Sequence, residues 1–106
     1  MSVIEDTRDI YQRAIDAFGE EHQMNKAIEE AGEFIAANAR ILNAKGGTPN
    51  ADRIRGKIME ALNGEATDLF IMMQQWRLIV GAAYFDTLIN DRLARLEQLI
   101  ADAGDK

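Results

Sequence analysis

The sequence contains no cysteine, one histidine and one proline in 106 residues. Without cysteine there is no disulfide framework, no thiol nucleophile and no thiolate metal site. The lone His22 excludes metal centres built on several imidazoles, and leaves only a serine or threonine paired with His22 as a nucleophilic dyad. Long apolar runs are missing as well. The longest, Leu78 to Phe85, has eight residues, against roughly 20 for a membrane-spanning helix. Basic residues are outnumbered, 12 Lys and Arg against 18 Asp and Glu, for a net charge of −6. A nucleic-acid polymer calls for a basic stripe, so it is not the expected partner. Glu5, Asp6 and Asp9 make the first residues unlike an export or transit peptide. These absences lead to the expectation of a cytoplasmic protein that contacts neither membrane nor nucleic-acid polymer.

What is present favours helices. The apolar share is 47%, enough for a packed core. Ala, Leu, Ile, Glu, Gln, Arg and Met dominate, most of them good helix formers, and no stretch alternates with period two. A first helix is expected from about Ile4 to Phe18, with Ile10, Ala14, Ile15 and Phe18 on one side and Gly19 as its stop. A second runs from about Glu21 to Ala44, its apolar stripe read as Met24, Ala27, Ile28, Ala31, Ile35, Ala39 and Leu42. Gly46 and Gly47 interrupt it, and Thr48-Pro49 reads as an N-cap followed by the first helical position. The third segment, about Pro49 to Val80, carries Asn63-Gly64 in its middle, where a bend and a new helix at Glu65 are expected. The last helix covers about Tyr84 to Ala103, with Leu88, Ile89, Leu93, Leu96 and Ile100 as its stripe and a frayed end beyond. The expected fold is all-α, a single domain over residues 1–106, built as a bundle of four or five helices.

The carboxylates fit such a bundle less easily. Ala66, Leu69, Phe70, Ile71, Met72 and Met73 surround Asp68, so this helix reads as central and Asp68 as partly buried. Glu65 stands one turn earlier on the same face. The second helix repeats the spacing: Glu30 and Glu33 lie within about 60° of each other, with Glu29 beside them. If the two helices pack antiparallel, four carboxylates converge. Like charges brought together out of water need a cation, and an all-oxygen donor set suits Mg²⁺ or Mn²⁺. The bland alternatives stay open on residue type alone: Glu29, Glu30 and Glu33 as a solvated face, Asp68 paired with Arg77, and Lys26 in an i, i+4 ion pair with Glu30. Trp76, Met72, Met73 and Phe70 read as core rather than as a base-stacking surface, and His22 as an ordinary helix-start residue.

The stretch Gln23-Met24-Asn25-Lys26-Ala27-Ile28-Glu29-Glu30-Ala31-Gly32-Glu33-Phe34 resembles the first signature of the MazG-like family, within the all-α nucleoside triphosphate pyrophosphohydrolases. Gly64-Glu65-Ala66-Thr67-Asp68 with the apolar residues Leu69 to Met73 resembles the second, and Arg92 to Leu96 is similar to the family's basic C-terminal segment. The resemblance spans roughly residues 18 to 100. It implies a Mg²⁺-dependent enzyme, with Mn²⁺ as a possible substitute, that cleaves a nucleoside triphosphate between its α and β phosphates. It implies Glu30, Glu33, Glu65 and Asp68 as metal ligands, and Glu29 and Glu30 as catalytic, Glu29 as a further ligand or the residue that orients water. Lys26, Arg92 and Arg95 become candidates for the phosphates, and Gln23 and Asn25 for substrate positioning. A homodimer or homotetramer with the site near a subunit contact is expected. Two departures stand out: 31 residues separate Glu33 from Glu65, which makes Lys45 to Gly56 an insertion, lid or oligomer contact, and Arg92 stands where the family more often has Lys. The rival expectations are a non-catalytic helical adaptor of the same fold and a hydrolase of phosphoribosyl-linked pyrophosphates.

Overall fold

The computed structural model describes residues 3–104, with side chains from residue 9 onward. It is a run of four α-helices: α1 (Val3–Phe18), α2 (Glu20–Asn43), α3 (Pro49–Val80) and α4 (Ala82–Gly104). No strand occurs among the described residues. Glu5 and Asp6 and the last two residues lie outside the described side chains; of the stretch expected to fray, Ala103 and Gly104 belong to α4.

Two of the three joints between helices are single glycines. Gly19 has φ +92° and Gly81 φ +108°, a backbone region that strains any residue with a Cβ. Each donates its N–H back to the helix it ends, Gly19 to Ile15 O at 2.8 Å and Gly81 to Arg77 O at 3.1 Å. Each also accepts the first bond of the next helix, from Gln23 N and Phe85 N respectively. The third joint is Ala44 to Thr48. Thr48 caps α3 as its sequence suggests, its Oγ1 accepting from Ala51 N at 3.1 Å, with Pro49 opening the helix. Asp52 Oδ1 accepts from Gly47 N at 3.0 Å. Residues 49–56 are therefore the first turns of α3, and the five residues left outside the helices are pinned and too short to form a lid.

The expected bend at Asn63-Gly64 does not occur; α3 is one helix of 32 residues. A mid-helix glycine costs about 1 kcal/mol relative to alanine, whereas a break would strand backbone donors and acceptors on both sides of it. Thr67 Oγ1 also bonds the Asn63 carbonyl at 2.8 Å, tying the turn that spans the glycine.

α2 and α3 form an antiparallel hairpin that holds most of the packing. Ala37, Ile41 and Leu62 are its buried core, with Phe34 and Ile58 against it. The face α2 turns to α3 is Gln23, Ala27, Glu30, Phe34, Ala37 and Ile41, spaced four, three, four, three and four. This corrects the expected stripe. Ile28, Ile35 and Leu42 point away from α3, and Leu42 is 79% exposed. α1 contributes Ile15 to the interior, while Ile10 and Phe18 stay exposed. Met72 is buried and Trp76 half-buried, but Phe70 and Met73, expected in the core, are exposed.

α4 touches α3 alone and has no buried residue. Its anchor is Arg77 on α3, whose Nε and Nη2 donate to both oxygens of Asp86 at 2.7 Å. The bidentate pair takes Arg77 away from Asp68, the partner considered for it. The radius of gyration is 17.8 Å, against about 13 Å for a compact domain of this length.

Candidate metal centre

The hairpin register sets Glu30 and Glu33 of α2 opposite Glu65 of α3. One carboxylate oxygen from each lies within 4.8 Å of the others. Glu30 sits on the α3-facing row of α2 and is only 8% exposed. Glu65 is half-buried and Glu33 lies at the open edge. Among the buried side-chain oxygens, Glu30 Oε2 and Glu65 Oε2 have no hydrogen-bond partner. A buried acceptor without a donor is costly, and here two belong to residues of one cluster of like charge.

The electrostatics agree with that geometry. Burial pushes the Glu30 carboxyl above its ordinary 4.5, and Glu33 and Asp68 push it further, while Lys26 opposes them. Burial is also the largest cause for Glu65, followed by Glu33, Asp68 and Glu30. Glu33 raises both carboxyls, so the three stay together without repulsion only when a proton is kept. A divalent cation removes that requirement. The donors are all oxygens, two are unsatisfied, and the site opens through Glu33, so the residues fit a hard cation with room for further ligands.

Asp68 differs from expectation. It is exposed rather than partly buried and lies outside the group of three, though near enough for its charge to act on Glu30 and Glu65. Phe70, Ile71 and Met73 beside it face outward, so an apolar neighbourhood in the sequence does not bury it. Lys26 pairs with Glu29 at 3.5 Å and with Glu30 at 3.7 Å. Both pairs sit at the rim, and Glu29 chiefly, then Glu30, raises the Lys26 pKa. Glu29 is exposed beside the cluster rather than part of it. Asn25 is exposed. Gln23 is buried, its Nε2 donating to Gln75 Oε1 at 2.6 Å across the hairpin. Arg92 and Arg95 lie on the exposed part of α4, which does not touch α2 of its own chain. Gln75, absent from the sequence expectations, is 4% exposed. Its one signal was a polar residue among Met72, Met73 and Trp76.

Raised carboxyl values have a thermodynamic consequence. Between 4.5 and the raised folded-state values, the folded chain holds more protons than the unfolded one, so stability falls as pH rises through that interval. The metal-free protein is expected to lose melting temperature from mildly acid to neutral pH. Mn²⁺ or Mg²⁺ at 100 times its dissociation constant adds about 2.7 kcal/mol at neutral pH, and nothing where the carboxyls are protonated. Thermal melts across pH with and without metal check this; a metal effect independent of pH counts against the cluster as its site.

No protein-family model, no curated protein and no solved structure matches the chain.

Proposed function

We propose that the protein is a Mg²⁺-dependent nucleoside triphosphate pyrophosphohydrolase of the MazG-like type, which releases the monophosphate and pyrophosphate. The observation that carries this is the pair of orphaned buried oxygens, Glu30 Oε2 and Glu65 Oε2, inside a three-carboxylate cluster. The motifs that resemble the family supply two of these three residues each with the expected neighbour, Glu30 with Glu33 and Glu65 with Asp68.

Glu30, Glu33 and Glu65 would hold the cation, with Asp68 adding negative charge at the flank. Bound there, a divalent ion offsets charge on the phosphates and makes water a better nucleophile at neutral pH. The remaining roles fall to the chain. Glu29, exposed at the rim beside Glu30, would accept the proton of the attacking water as pyrophosphate leaves. Lys26, held cationic by Glu29 and Glu30, can trade those rim pairs for phosphate oxygens. An acidic protein meeting a polyanion needs both devices.

The reading includes a homodimer. α4 leaves Leu88, Ile89, Leu93, Leu96, Leu99 and Ile100 exposed, an amphipathic stripe over most of its length. Ile28, Ile35 and Leu42 form a second apolar row on the outside of α2, spaced by seven. Such faces on one small chain exceed what a soluble monomer shows, and the large radius of gyration has the same cause. Arg92 and Arg95 make no ion pair among the described residues, and α4 of a second copy laid over α2 is the route by which they would reach bound phosphates.

The test is pyrophosphate release from a panel of ribo- and deoxyribonucleoside triphosphates. Turnover with Mg²⁺, lost on chelation and restored by Mg²⁺ or Mn²⁺, is the expected result. A phosphoribosyl-linked substrate in the same panel separates the related hydrolase, and no turnover on any compound leaves the adaptor.

A further inference from the structure

We infer that His22 and Phe18 form the nucleobase subsite, and that the Nε2 lone pair of His22 selects bases with an exocyclic amino group. The inference rests on the pyrophosphohydrolase reading for the placement of the phosphates, and on the geometry of α2 for everything else.

Hydrogen bonding across the hairpin points to Nδ1 as the ring nitrogen that carries the proton. Gln75 Nε2 lies 3.4 Å from the Ile71 carbonyl, which can only accept, so the amide of Gln75 has one orientation and its Oε1 faces α2. Gln23 must therefore present Nε2 to it, as the 2.6 Å bond shows. That leaves Gln23 Oε1 toward His22 Nδ1 at 2.8 Å. An acceptor at that position requires a donor, so Nδ1 carries the hydrogen. In the neutral ring Nε2 is then an acceptor, and it has no partner among the described residues. A backbone carbonyl on α3 thus fixes the tautomer of an exposed ring on α2 through two buried glutamines, which are 4% and 6% exposed.

The ring is also positioned. Its centroid lies 5.6 Å from that of Phe18, with the planes tilted by 31°, and Phe18 is 62% exposed. Gly19, with its positive φ, is the joint that folds Phe18 back over the first turn of α2. The two rings offer apolar surface and a directed acceptor together. A flat heteroaromatic group with a polar edge fits such a pair.

Along α2 the order is His22, Lys26, then Glu29 and Glu30, then Glu33, steps of four, three to four, and three to four residues on one flank. At 1.5 Å per residue, His22 stands about 12 Å from Glu30 with Lys26 midway. A triphosphate whose phosphates engage Lys26 and the carboxylates would carry its base to His22. Cytosine and adenine bring an amino N–H to Nε2. Uracil and hypoxanthine bring a carbonyl oxygen to the same place, lone pair against lone pair.

The experiment uses matched pairs, CTP against UTP and ATP against ITP. Wild-type protein is expected to favour the amino member by about tenfold in kcat/KM, the scale of one neutral hydrogen bond. His22→Phe keeps a ring on Phe18 but has no acceptor, and should bring both ratios close to one. Phe18→Leu should raise KM for all four alike and leave the ratios intact. Nitrogen-15 shifts of His22 give a readout independent of turnover: Nδ1 protonated, Nε2 bare, with Nε2 moved by CMP and not by UMP. Turnover with ratios unchanged in His22→Phe overturns the subsite and leaves the hydrolase reading standing. No turnover on any triphosphate, with CMP still moving Nε2, supports the subsite and removes the hydrolase. A proton found on Nε2 instead of Nδ1 overturns the inference outright.

Discussion

Replacing Glu30 with Gln is expected to reduce pyrophosphate release by more than about 100-fold while making the metal-free protein more resistant to heat. The two effects have one origin. Glu30 is the most buried member of the cluster, and one of its oxygens is buried without a donor. Gln keeps the shape, removes a charge from a site where burial and neighbouring carboxylates already oppose it, and brings an N–H that Glu33 can accept. It also removes an anionic ligand. Loss of groups that merely orient metal ligands costs about 10–100-fold, so loss of a ligand should cost more. The melting temperature of Glu30→Gln at neutral pH should exceed that of wild type without metal and should no longer rise with Mn²⁺. Calorimetry beside the activity assay tests all three. A variant that keeps Mg²⁺-dependent turnover within a few fold of wild type would falsify the centre.

Leu93→Asp on α4 should convert the protein to monomers in which α4, which buries nothing within its own chain, loses helix. Leu93 lies midway along the exposed apolar stripe. In a two-fold dimer every substitution counts twice. Losing a buried leucine and forcing a carboxylate into its place costs about 3 kcal/mol per copy, and twice that shifts a dissociation constant by roughly four orders of magnitude. Sedimentation velocity and circular dichroism report the two outcomes together. A variant that remains a fully helical dimer would remove α4 from the interface. Thr87→Asp, a change at an exposed residue off the Leu88–Ile100 stripe, is the control and should behave as wild type.

The helices were readable because caps and stops act locally. Gly19, Gly81 and Thr48-Pro49 need only their own neighbours, and their helix ends fall within two residues of expectation. Gly64 does not end α3 as its residue type suggests, because the cost of a glycine in a helix is smaller than the cost of ending the helix there. The facing of α2 departs from its apolar stripe for a different reason. The row Ile28, Ile35, Leu42 is more apolar than the row Gln23, Ala27, Glu30, Phe34, Ala37, Ile41, so hydrophobicity selects the outer face. Periodicity reports that a face is amphipathic and says nothing of which neighbour covers it. The spacing of Glu30 to Glu33 and the position of Glu65 were legible, because three residues along a helix always bring side chains together. The exposure of Asp68 was not, since it depends on which flank of α3 meets α2. The link from Gln75 to Gln23 joins residues 52 positions apart, and neither residue type announces a partner.

α3 carries Leu62, Glu65, Gln75 and Arg77 on one uninterrupted rod, about 48 Å long at 1.5 Å per residue for its 32 residues. One residue added or deleted between Leu62 and Glu65 would turn everything beyond it by about 100°. Glu65 would leave its cluster, Gln75 would lose Gln23, and α4 would swing to another side of the molecule. Changes of length should therefore be tolerated better at Ala44 and Lys45, ahead of the Gly47–Asp52 bond, than anywhere in the second half of α3, so that related chains of different size would be expected to vary at the hairpin tip while keeping the count from Leu62 to Arg77 fixed.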